Sequence, residues 1–384
     1  MRKSTFDIQL FIAFLLVMVV GVAFVYSASY PSALISFNDE QKIVGKQVIA
    51  IAIGAVLMYF ARIISLPWLR KRAHPIMLLA YIPLIAVLLI GSKHGGNQSW
   101  LFGIQPSEFA KIFLIVVMAA SIAAHPGNVR GVLHWSSLLT KPFVYFVVTI
   151  VLVAAQKDIG TVIIIVIAGG LLLVLSGMKF RYLGFPLLGV LGLVIAAFIL
   201  GPVAVHKIGG QRGDRISAWL HTFDTKVPIE VRTAAYQPEN SLVAIGSGRL
   251  FGVGFCQSRQ KWLYLPEPQN DYIFSIMSEE LGFLLLIPVF FLPYLWMLFR
   301  GYIIGITAQD EFGSTLALGI TVLLATQAFV NIAVTMNLLP CMGVTLPLIS
   351  SGGSSIISCM IMIGLLLNIS APIKRGEKEL KVSE

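Results

Sequence analysis

The residue of this 384-residue chain best placed to do chemistry is a carboxylate at the edge of an apolar run. It stands in Leu265-Pro-Glu-Pro-Gln-Asn-Asp-Tyr-Ile-Phe274, where Asp271 closes a polar, proline-punctuated stretch that also holds Glu267. Partial desolvation at such a boundary raises a carboxyl's pKa and makes its anion a stronger general base toward a hydroxyl. Asp is also a preferred helix N-cap, so Asp271 could instead simply start the helix that follows.

A basic, glycine-rich stretch precedes it. Arg212, Asp214, Arg215, His221, Arg232, Arg249, Arg259 and Lys261 lie around Ala244-Ile-Gly-Ser-Gly-Arg-Leu-Phe-Gly-Val-Gly254. Guanidinium forks and backbone N–H groups freed by glycine suit a diphosphate or another anionic head group. The plainer alternative is that these charges sit in water or on anionic lipid.

Further ionisable groups interrupt apolar runs, where they are costly unless they face a cavity or a partner. Glu279 and Glu280 should therefore point into the protein. In Gln105-Pro-Ser-Glu-Phe-Ala-Lys111 the spacing sets Glu108 and Lys111 on one helical face, with Pro106 suited to the first turn. They either neutralise each other or form a polar floor under an outer cavity. Lys157-Asp158-Ile-Gly-Thr161 and Leu346-Pro-Leu-Ile-Ser-Ser-Gly-Gly-Ser-Ser355, which contains Ser354, fit tight turns and close helix contacts as well as a ligand. Cys256, Cys341 and Cys359 show no metal-ligand spacing and read as small apolar residues, with a Cys256–Cys341 bridge as the alternative.

The elements that must position these residues follow from composition. With 57% hydrophobic and only 12% charged residues, the chain is an all-α integral membrane protein, since backbone groups in hydrocarbon must be paired within the segment. A β-barrel would alternate apolar and polar residues instead. The net charge of +10 is scattered over segment ends without interleaved aromatics, which argues against a nucleic-acid partner. Apolar runs predict ten transmembrane helices, over 7–28, 43–64, 76–92, 106–124, 142–156, 159–177, 182–203, 273–299, 315–337 and 352–371. Ser27-Ala28-Ser29 resembles a cleavage site, but the run before it is too long for a signal peptide and counts as the first span. Arg2, Lys3, Arg62, Arg70, Lys71, Arg72, Arg130, Lys141, Lys179, Arg181, Arg300 and the basic tail fall on one face, and only Lys42, Lys46, Lys93 and Lys157 in the short loops of the other. Both termini are thus expected to be cytoplasmic, with a large extracytoplasmic loop over about 204–270 between helices 7 and 8. A single domain covers 1–384, ending in a charged tail from 374.

Taken in order, these motifs resemble a known family. The Tyr26-Ser-Ala-Ser29 helix end, the Glu108 and Asp158 motifs, Tyr236-Gln237, the glycine loop, Ser258 to Phe274, Glu279-Glu-Leu-Gly-Phe283 and the Leu346 to Ser355 segment are similar to those of the SEDS family (shape, elongation, division and sporulation). Ser258-Arg-Gln-Lys261 and Val344-Thr-Leu-Pro347 look more like its FtsW/SpoVE branch than like RodA. The resemblance implies a ten-helix peptidoglycan glycosyltransferase that polymerises lipid II on the outer leaflet. It would work beside a class B penicillin-binding protein and other division or elongation membrane proteins.

On that resemblance Asp271 is the essential carboxylate, taking the proton of the acceptor hydroxyl as undecaprenyl diphosphate leaves. Arg212, Arg215 and Lys261 are expected to neutralise the diphosphate, and Glu267, Gln237, Lys111, Glu108 and Ser354 to complete the substrate site. No metal site is read from the sequence, and the only cofactor left room for is a divalent cation, Mg or Mn. The chain departs from the family pattern at Ser99, where Arg is usual, at Lys157 in place of Pro, and at Ser351 in place of Tyr. Lys93 or Lys157 would then supply the missing charge. Two rival functions are a flippase for lipid-linked precursors and a non-catalytic scaffold. A flippase should gather its polar residues near the midplane of two related halves, which this sequence does not show.

Overall fold

The computed structural model describes residues 6–94, 97–124, 141–175, 211–220, 222 and 229–382. Among them run α1 (Ile8–Phe37), α2 (Lys42–Ile63), α3 (Leu66–Ile90), α4 (Pro106–Ala123), α5 (Lys141–Ala155) and α6 (Ile159–Leu175), followed by α7 (Gln211–Leu220) and α8 (Ile229–Gly248). Next come α9 (Ile273–Leu286), a π-helical turn (Ile287–Phe291), α10 (Leu292–Thr307), α11 (Glu311–Thr335) and α12 (Gly353–Val382). An antiparallel hairpin of β1 (Ser92–His94) and β2 (Asn97–Trp100) joins α3 to α4.

Seven stretches among the described residues are long and apolar enough to cross a membrane, and Phe143–Ala155 and Ile159–Leu175 are shorter apolar helices. The chain is a multi-pass membrane protein, and the helix expected over 182–203 lies outside the described residues. α4, α11 and α12 form the centre of the bundle. α4 is buried over nearly all its length, and its Ile115 packs on Gly319 of α11, whose Leu316, Ile320 and Leu323 are also buried.

Long-range hydrogen bonds sort the helix ends onto two faces. At one, Asp7 caps α1 and pairs with Arg300, while its N–H donates to Ser370 Oγ at 3.0 Å. There too Asn368 Nδ2 donates to the carbonyls of Ala61 and Ile64, and Arg70 donates to that of Ala123. The opposite face gathers the hairpin, the α5–α6 turn, the described residues 211–220 and 229–272, and the segment between α11 and α12.

One sequence expectation needs correction and another gains detail. The first helix was to end at Ser27-Ala-Ser29, but α1 continues to Phe37, and these small residues are fully buried where other elements press against the helix. The stretch expected as one large loop over about 204–270 contains α7 and α8 among its described residues. Its glycine-rich part re-enters against α9, which breaks at Gly282 (φ 65°). There Val253 and Gly254 donate to the carbonyls of Glu279 and Glu280, and Phe283 and Leu284 donate to those of Arg249 and Leu250. Backbone meets backbone so closely that a Cβ at Gly252 would collide with the Glu280 carbonyl, and one at Gly282 with the Gly252 nitrogen.

Candidate active site

Asp271 is partly buried one residue before the cap of α9. It is not that helix's N-cap: Tyr272 holds the cap position, and no side chain accepts from the first turn. The fixed backbone of Asp271 has another source. Asn331, fully buried on α11, donates from Nδ2 to the Asp271 carbonyl at 2.8 Å and to the Val344 carbonyl at 2.7 Å. One amide thus ties the loop carrying the carboxylate to the segment that walls it. Gly343 lies in that wall, where an added Cβ would stand 3.4 Å from Asp271 Oδ2.

Burial lifts the Asp271 pKa from 3.8 to about 7, with the Glu267 and Asp158 carboxylates adding to the rise and the Arg215 guanidinium opposing it. Glu267 is exposed and accepts from Asn270 Nδ2 at 2.8 Å. Arg215 comes from α7, which docks on the end of α11 as Trp219 Nε1 donates to the Asn337 carbonyl at 2.9 Å. The Tyr272 hydroxyl donates to Cys341 Sγ at 3.2 Å, and the Cys341 thiol donates to Gln237 Oε1 at 3.6 Å, so α8 joins the same cluster. Cys256 and Cys341 are both free thiols, and no bridge joins them.

The structure therefore gathers Asp271, Glu267, Arg215 and Gln237. It does not bring Lys261 to them. The Lys261 ammonium is buried, 3.0 Å from Glu280 Oε1 and 2.9 Å from Ser27 Oγ, because Glu280 needs a counter-charge inside an apolar helix. Glu279 and Glu280 do face inward, but toward the loop: they accept the N–H groups of Cys256, Ser258, Arg259 and Gln260 and the Ser258 hydroxyl. The side chain of Arg212 lies outside the described residues, as does that of Lys93.

Beneath the cluster lies a second polar layer. Lys111 Nζ is 2.8 Å from Glu108 Oε1 and 2.9 Å from Gln327 Oε1, and Ser358 Oγ donates to the other Glu108 oxygen at 3.2 Å. Gln327 Nε2 donates to Thr345, whose hydroxyl is 2.7 Å from that of Ser355. Ser354 Oγ accepts the Gln105 N–H at 3.0 Å, and Gln105 Nε2 donates to Asp158 Oδ2 at 3.0 Å. Asp158 also accepts from the N–H and hydroxyl of Thr161, fixing the start of α6. Of the departures from the family pattern, Ser99 is buried in β2, Lys157 takes a left-handed turn (φ 66°), and Ser351 donates its N–H to the Gln269 carbonyl at 2.8 Å.

Sequence reading passed over Asn331 and Gln327. Two amides one helical turn apart in Gln327-Ala-Phe-Val-Asn331, inside an apolar run, were the available signal. Among the described residues no group of three or more His, Cys, Asp or Glu side chains could hold a metal ion.

Comparison with known proteins is consistent along the whole chain. The Stage V sporulation protein E of Bacillus subtilis is 33% identical over 381 residues, covering 96% of this chain and 98% of that one. A probable peptidoglycan glycosyltransferase FtsW of Trichlorobacter lovleyi is 34% identical over 386 residues, covering 97% and 95%. The fold matches a chain of a solved peptidoglycan synthase complex with TM-score 0.72 at 22% identity, over 95% of this chain and 97% of that one. It also matches the rod shape determining protein RodA of Thermus thermophilus with TM-score 0.66 at 20% identity, over 95% and 96%. With the cell cycle protein model for FtsW, RodA and SpoVE matching residues 7–375, the chain belongs to the FtsW/RodA/SpoVE family.

Proposed function

We propose that this protein is a peptidoglycan glycosyltransferase of the bacterial cytoplasmic membrane that polymerises lipid II, with Asp271 as its general base. The observation that carries the reading is a partly buried carboxyl with a pKa near 7, beside Arg215 on the loop-rich face of the bundle. A carboxylate so placed takes the proton of an acceptor sugar hydroxyl while that oxygen bonds to the donor's anomeric carbon. The bond from that carbon to the diphosphate breaks, and the diphosphate departs with its electron pair. It needs no general acid, so one carboxylate suffices. Arg215, joined by Arg212 from the same helix, offsets the leaving charge, and Glu267 and Gln237 line the approach. Glu108, Lys111 and Ser354 support the floor from below. A divalent cation would have to arrive with the substrate diphosphate, and no step depends on one.

In this reading the chain is one domain with ten spans. Both termini are cytoplasmic, because Arg62, Arg70, Lys71, Arg72 and Arg300 crowd the face opposite Asp271. The partner is a class B penicillin-binding protein, in keeping with the fold shared with a chain of a peptidoglycan synthase complex. Purified protein in liposomes, with and without such a partner, should form glycan strands from lipid II, and Asp271→Ala should form none. Transbilayer movement of lipid II without polymer would replace this reading with a flippase.

A further inference from the structure

The re-entrant segment between α8 and Asp271 carries a surface that the proposed chemistry does not use. Leu250, Phe251, Phe255, Trp262, Leu263 and Tyr264 are each at least 49% exposed, and Phe251 reaches 74%. A loop standing in water would leave this apolar area hydrated, which is unfavourable. Where its first part meets α9, four hydrogen bonds of 2.9–3.1 Å pair its backbone with the broken helix and so hold these side chains against the span. The neighbours at that contact, Phe283, Leu284 and Leu285, are exposed on a membrane-spanning stretch, so exposed apolar side chains lie on both the span and the loop where the two meet.

Helix α1 supplies a ruler for the height of this segment. Asp7, at the opposite face, is paired with Arg300. Ser27 lies twenty residues further along the helix, about 30 Å at 1.5 Å per residue, the thickness of a hydrocarbon core. At that height Ser27 donates to Glu280 at 2.6 Å and accepts from Lys261, fastening the segment there. Arg249 and Arg259 are exposed on the same stretch. Aromatic residues with polar tips, aliphatic chains and arginines together at one bilayer boundary match the preferences of a headgroup layer.

We infer that residues 249–264 form a collar seated in the headgroup layer of the leaflet on the Asp271 side, binding its anionic phospholipid. Leu250, Phe251 and Phe255 enter the upper acyl chains, Trp262 and Tyr264 lie at the carbonyl level, and Arg249 and Arg259 meet phosphates. The collar fixes the height of the loop that leads to Asp271 relative to the membrane surface.

Trp262 makes this measurable in the full-length protein, reconstituted in vesicles of phosphatidylcholine with phosphatidylglycerol. Because the chain holds six tryptophans, the Trp262 emission is taken as the difference between wild type and Trp262→Phe. Nitroxide on the lipid headgroup or bromine high on the acyl chain should quench most of that component, and aqueous acrylamide should leave most of it. Quenching by acrylamide but not by lipid would put the segment in water, and quenching by neither would mean that protein covers it; both overturn the inference. If Trp262→Phe does not fold, Phe251→Trp adds a component read in the same way. Omitting phosphatidylglycerol should reduce the lipid quenching in wild type and not in the double variant Arg249→Gln/Arg259→Gln. An unchanged response to phosphatidylglycerol in that variant would overturn the phosphate contacts of the two arginines.

Discussion

At the scale of single residues, burial keeps the Asp271 carboxyl away from its ordinary titration range and does so at a cost. Asp271 has a folded-state pKa of about 7 against 3.8 for a free carboxyl. Between those values the folded chain holds a proton that the unfolded chain has lost. This contribution to stability is therefore fully present below pH ~4 and is lost as pH rises toward 7. At 1.36 kcal/mol per unit the loss amounts to at most about 4 kcal/mol. Activity has the opposite dependence, since the base must be ionised, and should rise with pH to half its maximum near 7. Asp271→Asn should abolish polymerisation. Its melting temperature at pH 8 should equal or exceed that of wild type, with the advantage shrinking as pH falls from 7 to 4. A variant less stable than wild type at every pH would mean that the carboxylate serves the fold rather than the reaction. Glu267 and Asp158 act on the same equilibrium as like charges, and Arg215 opposes them.

At the scale of elements, what the sequence disclosed was the part governed by local periodicity. Apolar runs located α2, α4, α5, α6, α11 and the start of α12 to within a few residues, because hydrocarbon leaves the backbone little choice but helix. The re-entrant path of 249–261 was not legible. Its glycines announced tight turns, but their partner is another backbone, that of a helix broken at Gly282, and such an encounter leaves no periodic trace in either segment. The same holds within the site. Asp271, Glu267, Arg215 and Gln237 could be picked out by type and motif. The partner of Lys261 could not, since Glu280 and Ser27 lie 19 and 234 positions away. Gly282→Ala tests how firmly the broken helix and the loop hold each other. The backbone of Gly282 (φ 65°, ψ 174°) lies in a region open essentially to glycine alone and costs an L-residue about 1–3 kcal/mol, and the clash with Gly252 adds about 1–3 kcal/mol. A loss of about 2–6 kcal/mol in denaturant or thermal unfolding is expected, with greater protease sensitivity across 249–261. Unchanged stability would mean that the loop can detach without consequence.

For the whole molecule, the polar centre of the bundle is as telling as its apolar shell. Glu108, Lys111, Gln327, Thr345, Ser355 and Ser358 link α4, α11, α12 and the segment before α12 through one buried network. With Glu108 and Lys111 only 5% and 2% exposed, removing one charge strands the other in a medium that cannot solvate it, at about 3–5 kcal/mol. Lys111→Met should therefore destabilise the protein severely, whereas adding Glu108→Gln to it should restore part of the loss, because no uncompensated charge remains. Turnover should follow the same order, falling with the single change and recovering in part with the double one, if the network acts by holding the floor of the site in place. Thermal unfolding of the three proteins in one detergent, alongside glycan-strand assays, distinguishes this from direct substrate contact. A Lys111→Met protein as stable as wild type yet inactive would mean that the ammonium acts on substrate rather than holding the bundle together.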